Sequence, residues 1–102
     1  DDKSEVITIK DKKGNNLLKV DSKNGEITAE SDKKIKLNSG NSSVILNAQS
    51  NSVSIESNAS INLSSQQIIL DAKSTLELKS GALLNVKSNG VANVKGSVVK
   101  IN

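Results

Sequence analysis

The chain has 102 residues and a net charge of +3, with no His, Cys, Met, Pro, Phe, Tyr or Trp. These absences exclude imidazole- and thiol-based catalysis, thiolate or imidazole metal sites and disulfides. With no arginine either, a nucleic-acid interface would lack its usual base-reading and base-stacking side chains. Apolar residues make up 34% of the chain and are almost wholly Ile, Leu, Val and Ala, so a lone chain would have a thin core. Sharing a core between chains, or stacking repeats along an axis, resolves that shortage.

Taken in order, residues 1–30 form a lead-in segment. Its stretch "VITIKDKKGNNLLKVDSKNGEITAES" (6–31) holds three apolar runs separated by the turn signals "KKGNN" and "SKNGE". The second signal contains Asn-Gly, a hairpin cue, and the segment is expected to form longer strands with antiparallel pairing.

Residues 31–102 carry a shorter repeat. Apolar pairs with one residue between them recur at Ile35/Leu37, Val44/Leu46, Val53/Ile55, Ile61/Leu63, Ile68/Leu70, Leu76/Leu78, Leu84/Val86, Ala92/Val94 and Val99/Ile101. The steps are seven to nine residues, most often eight. The lead-in pairs Ile7/Ile9, Leu18/Val20 and Ile27/Ala29 have the same form. Residues i and i+2 of a strand share a face, so each pair lies on one side and its middle residue on the other. The middle residues are polar except Ile45 and Ile69. One face is therefore dry and one wet, and the spacing fits no helical stripe.

Turn formers separate the pairs: "NSGNSS" (38–43), "SNAS" (57–60), "KSGA" (79–82), "KSNG" (87–90) and "KGS" (95–97). Gly and Asn are expected to supply positive φ there, and Ser and Asn side chains to bond the local backbone. A short strand followed by a corner of about four residues is too brief for an ordinary hairpin meander. It suits a β-prism or β-solenoid whose strands cross the long axis. The fold expected is all-β, a triple-stranded β-helix formed by an intertwined homotrimer. Its shared core is Ile35, Leu37, Val44, Leu46, Val53, Ile55, Ile61, Leu63, Ile68, Leu70, Leu76, Leu78, Leu84, Val86, Val94, Val99 and Ile101. Closure around the axis removes exposed strand edges. A monomeric solenoid serving as a binding or adhesin stalk is the alternative.

The stretch "GNNLLKVDSKNGEITAESDKKIKLNSG" followed by "SINLS", "TLELK", "LLNVK" and "VANVKGSVVKIN" resembles the C-terminal needle of VgrG spike proteins of type VI secretion. It is similar also to the tail spikes of contractile phages. The resemblance covers nearly the whole chain. Related phage needles often carry a glycine in each octad, whereas none falls here between Gly40 and Gly81. The resemblance implies a structural puncturing spike with no enzymatic activity and no cofactor. It would be assembled in a bacterial cytoplasm or phage particle and then injected, meeting a target membrane transiently. It also implies an upstream spike domain, baseplate or tube at the N-terminal side and a PAAR-type tip protein at the C-terminal side. Val98, Val99, Lys100, Ile101 and Asn102 are the expected contacts for that tip protein, the alternative being that they form only a last coil.

Among the carboxylates, pairs such as Glu30/Asp32 read as solvated charges and not as a catalytic dyad. The lysine-rich "DKKG" and "SDKKIK" alternate with acids and read as a solvated surface. No apolar run approaches the length of a membrane span or signal-peptide core, so no targeting segment is expected.

Overall fold

The computed structural model describes residues 5–102. It is all-β, with two three-stranded antiparallel sheets, and among the described residues it contains no helix. The chain divides into two units, the first ending at Ser64 and the second running Ser65–Asn102.

The first sheet is a meander of β1 (Val6–Lys10), β2 (Leu17–Asp21) and β3 (Glu26–Glu30). Its register aligns Ile7 with Val20 and Ile9 with Leu18, then Leu18 with Ala29 and Val20 with Ile27. All six apolar pair residues of the lead-in segment thus share one face. The turns are built by Asp–Asn partnerships. Asp11 accepts from the Asn16 backbone N–H at 3.3 Å and from its Nδ2 at 2.8 Å. Asp21 accepts the same two bonds from Asn24, at 3.2 and 2.9 Å. Gly14 at φ 75 and Gly25 at φ 68 take the left-handed conformation that closes each turn. The Asn-Gly cue therefore marks a hairpin, but one with a four-residue loop held by Asp21.

The second sheet is β4 (Lys34–Ser39), β5 (Ser42–Asn47) and β6 (Ser52–Glu56). Here the structure departs from the sequence reading, because these strands do form a hairpin meander within one chain. Gly40 at φ 53 sits first in the two-residue Gly40-Asn41 connection, and Asn51 at φ 53 closes the next loop. Each turn is thus tight enough for five- or six-residue strands. Ile35 faces Leu46, Leu37 faces Val44, Val44 faces Ile55 and Leu46 faces Val53. Again the apolar pairs share one face. Ile45 lies on the other face between Lys36 and Ser54 in the central strand and is half-buried.

After Glu56 the pairing mode changes. No strand follows it among the described residues, and the chain bends at 58–59, 65–66, 73–74, 81–82, 89–90 and 97–98, steps of seven or eight residues. Among the described residues, none from 57 onward makes a backbone–backbone hydrogen bond. The lead-in boundary read at residue 30 falls in the connection between the two sheets, whereas the change from paired to unpaired strands comes after Glu56.

Candidate functional site

Four of the six bends after Glu56 are tied by a serine. Ser57, Ser65, Ser80 and Ser88 each stand two residues after the second member of an apolar pair. Each Oγ accepts the backbone N–H two residues on, from Ala59, Gln67, Ala82 and Gly90, at 3.2–3.4 Å. Ser65 and Ser80 also donate to the carbonyls of Gln67 and Leu83, at 2.6 and 2.7 Å. Such local bonds turn an extended chain without a left-handed residue. The expectation that glycine would supply positive φ at these corners is therefore corrected: only Gly14, Gly25 and Gly40 have it among the glycines. Gly96 occupies a serine position for another reason, since a Cβ there would lie 3.1 Å from the Val98 carbonyl oxygen.

The apolar pairs are the surface these elements present. Among the described residues no hydrophobic side chain is buried, and Asp21, 6% exposed, is the one buried polar residue. The pair residues from Ile61 to Ile101 are all exposed. In the second sheet Ile35 and Val44 are half-buried while Leu37, Leu46, Val53 and Ile55 are open.

Two depressions on this surface take in charged residues, Glu30, Lys33 and Lys34 in one and Lys10, Asp11, Glu30 and Lys34 in the other. A third, of about 450 Å³, is lined by Leu37, Val44, Ile55 and Ile61 together with serines, Asn38 and Glu56. Among the described residues, no three His, Cys, Asp or Glu side chains come together as a metal site. Two acids are perturbed. The Asn16 backbone N–H holds the Asp11 carboxyl below its ordinary 3.8, and the Asn24 side-chain amide does the same for Asp21. Both shifts belong to turns.

The residues expected to meet a tip protein begin in the last bend, with Val98, and run to Asn102. Val98 is 72% and Ile101 89% exposed, and Val99, Lys100 and Asn102 are also open to solvent. The serine corners went unread in the sequence as a set, although a serine at the same offset after four of the pairs was the available signal.

Compared with protein-family models, curated proteins and solved structures, the chain matches none.

Proposed function

We propose that this chain is a structural needle, three copies winding about one axis to make the puncturing spike of a contractile injection machine. The observation that carries the reading is the state of residues 57–102. They bend at intervals of seven or eight residues, carry their apolar pairs in the open and make no backbone pairing within the chain. Unpaired amide and carbonyl groups ask for partners, and exposed apolar side chains ask for cover. Two further copies supply both. In residues 6–56 the backbone is paired within the chain and only the apolar face is open. There each copy contributes one wall of a prism, and further on each contributes every third strand.

The mechanism is mechanical. Axial load is spread over interchain hydrogen bonds and a continuous aliphatic core, and the sites of bending are short corners tied by serine. In this reading, as the resemblance to VgrG and phage spikes implies, a PAAR-type tip protein would meet Val98, Val99, Lys100, Ile101 and Asn102. A spike domain, baseplate or tube would adjoin the N-terminal side, and the target membrane would lie in the path.

Amide hydrogen exchange tests the pairing. Protection of residues 61–101 comparable to that of β2 and β5 is expected, because only interchain bonds can protect them. Exchange at unfolded-chain rates throughout that region would overturn the reading.

A further inference from the structure

We infer that residues 79–102 form a cationic, aliphatic-studded belt that contacts anionic lipid. The charge is divided sharply along the chain. Residues 5–77 contain nine lysines and nine acids, whereas residues 78–102 contain four lysines and no acid. The whole positive balance of the described chain therefore sits in its last quarter.

Ion pairing follows the same division. Lys73 lies 3.6 Å from Asp71, and Lys79 lies 3.5 Å from Glu77, the last acid. Beyond it, Lys87, Lys95 and Lys100 form no ion pair among the described residues. The residue just before each apolar pair changes over the same stretch. It is Ser60, Gln67 and Thr75 in earlier repeats, then Leu83, Val91 and Val98. In the strands of the proposed needle, alternation sets Leu83 and Val91 on the side opposite the pair that follows, together with Lys87 and Lys95. Leu83, Val91 and Val98 are 72%, 79% and 72% exposed.

In the three-chain needle, on which the belt geometry rests, this chemistry encircles the axis. Three successive strands make a band about 10–15 Å tall. A lysine can lay its methylenes along apolar surface while its ammonium reaches a phosphate, and aliphatic side chains enter the boundary between headgroups and acyl chains. A band with the same simple chemistry on every side offers little to a partner with a fixed pattern of donors and acceptors. It fits a fluid surface of like charge that can close around it. Each lysine near an anionic bilayer strengthens attachment about fivefold.

The test is sedimentation of the full chain with vesicles of phosphatidylcholine alone, or with a third of it replaced by phosphatidylglycerol. Binding to the anionic vesicles only is expected. The triple variant Lys87→Gln, Lys95→Gln, Lys100→Gln should bind at least about tenfold more weakly, while Lys12→Gln, Lys13→Gln, Lys23→Gln, with the same loss of charge, should bind almost as wild type. Leu83→Ser with Val91→Ser should also weaken binding. Equal binding to both vesicle types, or equal loss in both lysine variants, overturns the inference. So does capture by polyglutamate without capture by vesicles, which would assign the belt to an acidic polypeptide. Light scattering on the same samples separates the two proposals. A trimer that ignores anionic vesicles overturns the lipid contact alone, and a monomer that binds them with the stated lysine dependence overturns the needle alone.

Discussion

Val20 stands opposite Ile27 in the β2–β3 ladder, on the apolar face, and the two are 37% and 76% exposed. Cross-strand aliphatic pairs stabilise a sheet when something covers them. Ile27→Asp keeps the hydrogen-bonded meander but sets a carboxylate where a neighbouring copy would pack. An unpaired buried charge of this kind costs about 3–5 kcal/mol. Loss of the oligomer in light scattering, with strand content by circular dichroism retained, is the expected outcome. Leu63→Asp and Leu78→Asp should act alike, and an unchanged oligomer in all three would mean that the apolar pairs do not face inward.

The corner at Ser80 rests on one hydroxyl that accepts from Ala82 and donates to Leu83. Ser80→Ala removes both bonds while leaving the backbone exposed to water. The expected loss is about 1 kcal/mol per chain, read as a lower denaturant midpoint. Ser88, which shows only the accepted bond, should cost less.

Much of this architecture is legible in the sequence because it depends on spacing. The apolar pairs and their polar middle residues announce strands with one dry face, and each pair from Ile7/Ile9 to Val53/Ile55 lies on a single face of its sheet. Pairing is less legible. Lys34–Glu56 has the same period as the residues after it, yet left-handed Gly40 and Asn51 let it fold back on itself, whereas the later chain bends without pairing to itself. Alternation alone does not distinguish these outcomes, since both need the same residues on the same face. Ile45 gains partial cover in a central strand. Nothing in the structure explains Ile69, which is 72% exposed.

Acid should loosen the first sheet through Asp21 and Asp11. Each carboxyl has a folded pKa below the unfolded 3.8 because amide donors stabilise its charged form. The resulting stability is present above that unfolded value and is lost as pH falls through the lower folded one. Asp21→Asn should make stability less dependent on pH below about 4, as measured by denaturant midpoints across that range. A pH dependence equal to wild type would remove Asp21 from the account.

Docking of a tip protein has its own signature. Val98, 72% exposed, is expected among the tip contacts and stands outside the apolar pairs of the shared core. Val98→Asp should abolish capture of a PAAR-type protein while the oligomer keeps its mass and melting temperature. Loss of both together would make these residues a last coil.

The assembly itself is tested most directly by the molar mass of the wild-type chain in native buffer, measured by light scattering behind size exclusion. Three times the 10.7 kDa chain mass is the result predicted. A single species of 10.7 kDa, with its apolar faces and unpaired strands open to water, would contradict it.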